Sequence, residues 1–254
     1  MSKKDKNIDN TTQANEKNIH EDIISKKNND SVTKKNLALV KESYKAIRTN
    51  LILSIVKNGC KKIVISSSVS GEGKSITCAN LATSLAQTDK KVLLIDTDLR
   101  RPTIHSTMGF PNTPGMTNVL TGLSTLDEAI NETAFPNLHV LCAGIAVPNP
   151  GELLACEATS QFIKMLEEKY DYILFDTPPI NAVSDMLPIV QLCDGVVMVV
   201  RQNYSNYLEI DKAIHNINFI GGKILGFILN DVVQEPFSKF RRSRYYSQTQ
   251  KYIQ

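Results

Sequence analysis

Apolar residues along the chain gather in short runs that alternate with helical patterns. Six runs rich in Val, Ile and Leu predict buried strands, because strands covered on both faces are almost continuously apolar. They span residues 62–66, 92–96, 138–142, 172–176, 195–200 and 224–229. Helical segments are predicted over residues 37–56, 76–87, 151–169, 184–191 and 206–217. This alternation predicts an α/β fold, a parallel sheet with helices on both faces.

The two ends of the chain lack this pattern. Residues 1–35 are rich in Asn, Lys, Asp and Glu, and we expect them to be disordered because they cannot bury enough surface to offset the entropy of ordering. From residue 234 the chain becomes polar, basic and rich in tyrosine. We expect a flexible tail over residues 234–254 and the α/β domain over residues 36–233.

Composition narrows the class of protein. The 254 residues are 42% hydrophobic and carry a formal net charge of +3, which is too small to indicate nucleic acid as a partner. No apolar run reaches the roughly 18 residues of a membrane-spanning helix, and the N-terminus lacks the apolar core of a signal peptide. We therefore expect a cytoplasmic protein. The five cysteines form no C-x-x-C pair and are expected to be free thiols.

A glycine-rich turn follows the first predicted strand. Residues 66–75 read Ser-Ser-Ser-Val-Ser-Gly-Glu-Gly-Lys-Ser. A strand, such a turn and Lys-Ser opening a helix form a phosphate-binding loop, in which backbone N–H groups surround a triphosphate, Lys74 reaches its outer phosphates and the Ser75 hydroxyl binds Mg²⁺. The pattern predicts binding of ATP and Mg²⁺, although Ser68 stands where the standard loop has Gly. The predicted nucleotide contacts are Ser70, Gly71, Glu72, Gly73, Lys74, Ser75 and Ile76.

Two later strands end in acidic residues. Asp96 and Asp98 come at the end of the second strand, and Asp176 ends the fourth. Because the carboxyl ends of parallel strands meet at one edge of a sheet, these carboxylates are expected beside the loop. There they could hold Mg²⁺ and accept a proton from an attacking hydroxyl. We predict them, with Lys74, as catalytic residues, while the alternative that a strand-end Asp only caps a helix stays open.

Four segments carry a resemblance to a known family. They read Gly-Glu-Gly-Lys-Ser at 71–75, Leu-Ile-Asp-Thr-Asp-Leu-Arg-Arg-Pro at 94–102, Pro-Asn-Pro-Gly-Glu-Leu-Leu at 148–154 and Phe-Asp-Thr-Pro-Pro at 175–179. Over residues 37–254 the chain resembles the bacterial tyrosine kinases of capsular and exopolysaccharide synthesis and export, in the split Gram-positive arrangement. The resemblance implies a P-loop NTPase fold with a deviant Walker A motif and ATP-dependent protein-tyrosine kinase activity.

The resemblance also implies a role for each residue of these motifs. Lys74 and Ser75 would belong to Walker A, Asp96 and Asp98 to Walker A′, and Asp176 to Walker B. Mg²⁺ would be organised by Ser75, Asp98 and Asp176. Asp96 is implied as the acceptor of the tyrosine proton, although the sequence does not rank it against Asp98.

The tail is rich in tyrosine, with Tyr245, Tyr246 and Tyr252 following four basic residues. The resemblance implies that a neighbouring subunit phosphorylates them in trans. The alternative is a basic tail with incidental aromatics. The implied partners are a membrane activator with a cytoplasmic C-terminal segment, a cognate tyrosine phosphatase and polysaccharide-synthesis enzymes as substrates. The implied location is peripheral, at the inner face of the cell membrane through the activator.

An oligomer contact and an adenine contact are implied as well. Glu42, Lys45 and Arg48 occupy the family's Glu-x-x-Arg-x-x-Arg pattern on the first helix, which implies a ring-shaped homo-oligomer. Lys45 lacks the planar fork of the expected Arg, and an intrahelical pair with Glu42 is the alternative. Asn230 follows the last strand, where related P-loop proteins read adenine and where Asn is also a common turn residue.

Two rival functions remain on the sequence alone. A regulatory ATPase of the ParA/MinD type would share the deviant loop and the fold, but its signature lysine, five residues before Lys74, is Val69 here. A nonenzymatic nucleotide-sensing adaptor would need another kinase for its tail, and the intact acids at the strand ends argue against it.

Overall fold

The apolar runs form seven strands of one sheet. The computed structural model describes residues 38–232, so the predictions for residues 1–35 and 234–254, and the expected domain ends at 36 and 233, lie outside it. The strands are β1 Lys61–Ser67, β2 Val92–Asp96, β3 Ile130–Glu132, β4 Leu138–Leu141, β5 Tyr172–Asp176, β6 Gly195–Arg201 and β7 Ile224–Asn230. All six predicted strands are present, and β3 was not predicted.

The sheet is parallel except at one edge. Its strand order is β3-β4-β2-β5-β1-β6-β7, and β3 pairs with β4 in the antiparallel direction. The predicted parallel sheet is confirmed, and only its antiparallel edge was not foreseen, because a three-residue strand containing Asn and Glu leaves no apolar run to read. The α/β class is confirmed. In the register of β2 with β5, Asp96 lies level with Asp176, so the strand-end acids meet as expected.

Helices cover both faces because the chain changes direction at the centre of the sheet. From β1 it passes through α2, Lys74–Ala86, to β2 on one side. From β5 it passes through α8, Leu187–Leu192, to β6 on the other side, and then through α9, Tyr207–Phe219, to β7. Right-handed crossovers that run in opposite directions put their helices on opposite faces. Ligands of such sheets bind where the direction reverses, at the ends of β1 and β5.

The remaining helices differ more from the prediction. The segment over 151–169 is two helices, α6 Pro150–Ala155 and α7 Glu157–Glu167, because Cys156 between them has an extended ψ of 155°. Three short helices, α3 Ile104–Met108, α4 Met116–Leu120 and α5 Leu126–Ala129, were not predicted. Helices of four or five residues are too short to display a 3.6-residue period.

The first helix, α1, spans residues 38–54, within the predicted 37–56. The chain divides into two units, Met1–Asn50 and Leu51–Gln254, and α1 contributes to both. Within the first unit, Lys45 Nζ lies 2.6 Å from Glu42 Oε1 on an exposed face of the helix. Across the described part of the chain, no helix has the length and apolar character needed to cross a membrane. All five cysteines are free thiols.

Candidate active site

The loop between β1 and α2 depends on two glycines. Gly71 and Gly73 have φ angles of 86° and 89°, in the left-handed region that favours glycine. A Cβ at Gly73 would lie 2.1 Å from Asn230 Nδ2, and one at Gly71 would lie 3.0 Å from Tyr204 Oη. Helix α2 begins at the next residue, Lys74. The unpaired N–H groups of its first turn therefore adjoin the loop, an arrangement that suits a phosphate.

Ser68, which departs from the standard loop, has a structural partner. Its buried Oγ donates to the carboxylate of Glu72, 3.0 Å from each oxygen. Because the Glu72 side chain is fully buried, only the backbone of this predicted nucleotide contact adjoins the phosphate site. The Ser70 carbonyl accepts a hydrogen bond from Tyr204 Oη at 3.0 Å, and Ile76 is exposed in the first turn of α2.

Lys74 links the loop to the strand-end acids. Its Nζ lies 3.2 Å from Asp98 Oδ2 and 3.8 Å from Asp176 Oδ2, and it donates to Ser75 Oγ at 3.2 Å. Burial acts to lower the pKa of Lys74, but the carboxylates of Asp176 and Asp98 outweigh burial and raise it. The ammonium therefore stays charged, as binding of phosphate requires.

Asp176 is a buried carboxylate without a hydrogen bond. It has no exposed surface, and neither of its carboxylate oxygens has a hydrogen-bond partner. Burial raises the pKa of Asp176, against the opposing charge of Lys74. Ser75 Oγ lies close to the same ammonium and accepts a hydrogen bond from Thr103 Oγ1 at 2.8 Å. Buried oxygens that lack donors fit a cation, and this donor set suits Mg²⁺ with phosphate oxygens as further ligands.

The two acids at the end of β2, Asp96 and Asp98, have different surroundings. Asp96 is fully buried, and its carboxylate accepts three backbone N–H bonds, from Asp98 at 3.1 Å and from Thr103 and Ile104 at 2.9 Å each. It thereby holds the start of α3, while burial raises its pKa. Asp98 accepts one backbone N–H bond, from Arg101 at 3.1 Å, and its other oxygen faces Lys74. A capping contact and a position beside the loop therefore coexist at Asp96.

The remaining predicted residues are placed as follows. Asn230 Nδ2 donates to the Glu72 carbonyl at 3.0 Å, so in this structure its amide binds the loop. Glu42 and Lys45 form the intrahelical pair that was the alternative to an oligomer contact, and Arg48 lies on the same helix. The predicted acceptors, Tyr245, Tyr246 and Tyr252, lie outside the described residues.

Several residues beside the loop were missed by sequence reasoning. Thr103 contacts Ser75, and Arg201 Nη1 donates to the Gly71 carbonyl at 3.2 Å. Neither belongs to a recognisable motif. Arg100 lies in segment 94–102, which carries the family resemblance, without having been assigned a role. Its guanidinium binds the buried carboxylate of Asp185 through two nitrogens. That segment was the one signal that could have found Arg100.

Comparison with known proteins agrees with this geometry. A family model described as an AAA domain matches residues 60–225. Tyrosine-protein kinase YwqD of Bacillus subtilis is 37% identical over 217 residues, which cover 85% of this chain and 90% of that protein. Tyrosine-protein kinase CpsD of Streptococcus agalactiae is 40% identical over 192 residues, which cover 75% of this chain and 83% of that protein.

Solved structures of a chimerical protein and of a MinD ATPase resemble this chain to different degrees. The chimerical protein CapA2B2 superposes with a TM-score of 0.73 at 35% identity, covering 76% of this chain and 85% of that one. MinD of Pyrococcus horikoshii, solved with Mg-ADP, reaches a TM-score of 0.59 at 27% identity, covering 70% of this chain and 72% of that one. The P-loop NTPase fold is therefore confirmed, and the comparisons favour the kinase over a MinD-type ATPase.

Proposed function

The chain belongs to the family of bacterial tyrosine kinases, and from this premise we propose that it transfers the γ-phosphate of ATP to tyrosines in the C-terminal segment of a neighbouring copy. The observation that carries the proposal is the convergence of the Lys74 ammonium with the carboxylates of Asp98 and Asp176, at 3.2 Å and 3.8 Å, immediately after a glycine-rich loop. The proposed acceptors are Tyr245, Tyr246 and Tyr252.

ATP and Mg²⁺ are the proposed cofactors. Lys74 would bind the outer phosphates, and backbone N–H groups over residues 70–76 would surround the triphosphate. Ser75, Asp98 and Asp176 would hold Mg²⁺, which neutralises the charge of the phosphates when it is bound. The absence of a hydrogen-bond partner at either oxygen of Asp176 supports this assignment. Asn230 is proposed near the adenine, where its link to the Glu72 carbonyl keeps it at the loop.

The transfer itself would make one bond and break one. The tyrosine hydroxyl oxygen attacks the γ-phosphorus, the bond from that phosphorus to the β–γ bridging oxygen breaks, and ADP leaves. The phenolic proton passes to a carboxylate at the end of β2, for which we propose Asp96, because Asp98 already faces Lys74. The rates of phosphate transfer by Asp96→Asn and Asp98→Asn, measured at saturating Mg²⁺ and ATP, show which of the two residues accepts the proton. Full transfer by Asp96→Asn would reassign the proton to Asp98.

Phosphorylation in trans requires neighbouring copies, and we propose a ring that uses Glu42, Lys45 and Arg48. The Lys45–Glu42 pair is exposed on both sides, and such a pair is weak enough to be exchanged for a partner across an interface. Lys45→Arg supplies the planar fork and should shift the full-length protein toward larger assemblies in light scattering. Glu42→Ala should shift it toward smaller ones, and unchanged masses for both variants would exclude this helix face.

Regulation would follow the family arrangement. We propose a separate membrane protein whose cytoplasmic C-terminal segment activates the kinase and holds it at the inner face of the membrane. A tyrosine phosphatase would reverse tail phosphorylation, and enzymes of capsular or exopolysaccharide synthesis would be further substrates.

Phosphotyrosine mapping tests the proposal. Full-length protein is incubated with ATP and Mg²⁺, with and without a fused cytoplasmic segment of the activator, and its peptides are analysed by mass spectrometry. We expect phosphate on the tail tyrosines of the native chain and none in Lys74→Met. Lys212→Met, a lysine on the exposed face of α9, is the matched control and should behave as the native chain. ATP turnover without phosphotyrosine would instead support the regulatory ATPase.

A further inference from the structure

Glu72 is a buried acid that the proposed transfer does not use. Its side chain has no exposed surface, and within residues 38–232 no ion pair to it occurs. Hydrogen bonds satisfy it instead: Ser68 Oγ donates at 3.0 Å, Val69 N at 2.9 Å, and Ser205 Oγ also donates. A buried carboxylate without a cation persists only when donors are held around it.

Ser205 belongs to the turn between β6 and α9, and three further residues, from this turn and from the ends of β6 and β7, also contact the loop. Tyr204 Oη donates to the Ser70 carbonyl at 3.0 Å, and Arg201 Nη1 donates to the Gly71 carbonyl at 3.2 Å. From the end of β7, Asn230 donates to the Glu72 carbonyl at 3.0 Å. We call these four residues, Arg201, Tyr204, Ser205 and Asn230, the outer clamp.

The outer clamp acts on three consecutive carbonyls. In a planar trans peptide the C=O and the following N–H point in opposite directions. Holding the carbonyls of residues 70, 71 and 72 on the clamp side therefore turns the next N–H groups, of residues 71, 72 and 73, to the opposite side. Successive backbone N–H groups that converge in this way form an anion-binding concavity. The Glu72 side chain anchors the middle of this segment from the clamp side.

We propose that the outer clamp and Glu72 preorganise the loop for phosphate, which makes Tyr204 and Ser205 positioning residues for nucleotide binding. Without the clamp, part of the binding free energy is spent on ordering the loop. The inference rests on the proposed function only in that the loop binds nucleotide. Lys74 and the acids are untouched by the clamp, so the affinity for ATP should change while the rate of transfer at saturation should not.

Two substitutions each remove one hydroxyl from the clamp, Tyr204→Phe and Ser205→Ala. Tyr204→Phe should weaken binding of Mg·ADP about fivefold, the equivalent of one net hydrogen bond. Ser205→Ala should weaken it at least as much, because Ser205 Oγ also accepts a hydrogen bond from Arg201 N. In both variants KM for ATP should rise by the same factor as the loss of Mg·ADP affinity, while kcat stays within about twofold. Ser205→Thr, which keeps the hydroxyl, should restore affinity. Tyr207→Phe, which removes an exposed hydroxyl at the start of α9, is the control and should bind as the native chain.

Binding of pyrophosphate with Mg²⁺ distinguishes an effect of Tyr204 on the loop from a direct contact of Tyr204 with the adenine. Because pyrophosphate has no adenine, equal weakening of pyrophosphate and ADP in Tyr204→Phe supports action through the loop. Weakening of ADP alone would make Tyr204 a base contact and overturn the proposal, as would native affinity in both clamp variants. Binding of ADP and of pyrophosphate is measured without any phosphate transfer. If the native chain binds both ligands but phosphorylates no tyrosine, the proposed kinase activity is contradicted, while the proposed role of the outer clamp in binding is not.

Discussion

Replacing Gly73 by Ala tests how tightly the loop is built. Gly73 has a φ of 89°, and an added Cβ would lie 2.1 Å from Asn230 Nδ2. The side chain of Asn230 would have to move, and the movement would break its hydrogen bond to the Glu72 carbonyl. Gly59→Ala provides the matched control, since Gly59 has a φ of 77° but no atom within 4 Å of the added Cβ.

The two substitutions separate backbone strain from the collision. A non-glycine residue in the left-handed region costs about 1–2 kcal/mol, and this cost applies to both. The lost Asn230 bond adds about 1 kcal/mol at Gly73 only. We therefore expect unfolding free energies lower by about 2–3 kcal/mol for Gly73→Ala and about 1–2 kcal/mol for Gly59→Ala. In an Asn230→Ala background the cost of Gly73→Ala should fall to that of Gly59→Ala, because nothing is left to collide with.

Urea unfolding of the nucleotide-free protein measures these differences in free energy. The slope of the unfolding free energy against urea concentration should be the same for all variants. Losses of this size leave a domain of ordinary stability folded. Gly73→Ala, Gly59→Ala, Asn230→Ala and the double variant of Gly73 and Asn230 can therefore be compared. Equal losses for Gly73→Ala and Gly59→Ala would refute the collision, as would a Gly73→Ala cost that Asn230→Ala does not reduce.

Two further predictions concern the proposed metal site. Asp176→Asn should raise the melting temperature of the protein in EDTA while abolishing Mg²⁺-dependent nucleotide binding, because it removes a buried charge without a hydrogen bond. Burial raises the pKa of Asp176 to about 7, so its ionisation opposes folding increasingly as the pH rises from the ordinary carboxyl pKa to that value and no further. The gain should therefore be larger at neutral pH than in acid; a lowered melting temperature would contradict this. Thr103→Val removes the donor to Ser75 Oγ and should raise the Mg²⁺ concentration for half-maximal transfer several-fold. Thr107→Val, on the exposed side of α3, removes only a bond to the Thr103 carbonyl and should not.

The parallel strands could be predicted because each contains a run rich in Val, Ile or Leu. Every residue of β2 and β5 is buried, and burial on both faces leaves that pattern in the sequence. The edge strand β3 has no buried residue, so the same criterion could not find it. Helix α5 did carry a local signal, since Thr125 and Glu128 form a capping box. The break at Cys156 has no such signal, because neither Gly nor Pro stands at residues 155–157.

The candidate site was predictable only where its chemistry is contiguous in sequence. The glycines and Lys74 of the loop stand together because one turn must adopt left-handed φ angles and then open a helix. The outer clamp lies some 130 residues further on, as the separation of Arg201 from the Gly71 carbonyl shows. Its members are common residue types: three of them act on backbone carbonyls, which leave no mark on the sequence, and Ser205 acts on the Glu72 carboxylate from a comparable distance along the chain.

Asp96 and Asp98 illustrate that the residues of a site can be predicted from the sequence while the role of each residue cannot. Both are acids at the end of one strand, and the sequence offered two explanations for either, a cap or a reactive group. In the structure Asp96 holds the backbone of residues 103 and 104, and Thr103, so fixed, donates to the Ser75 hydroxyl. Its capping contacts therefore position a proposed metal ligand. The two explanations describe one arrangement, in which a structural contact prepares the chemistry beside it.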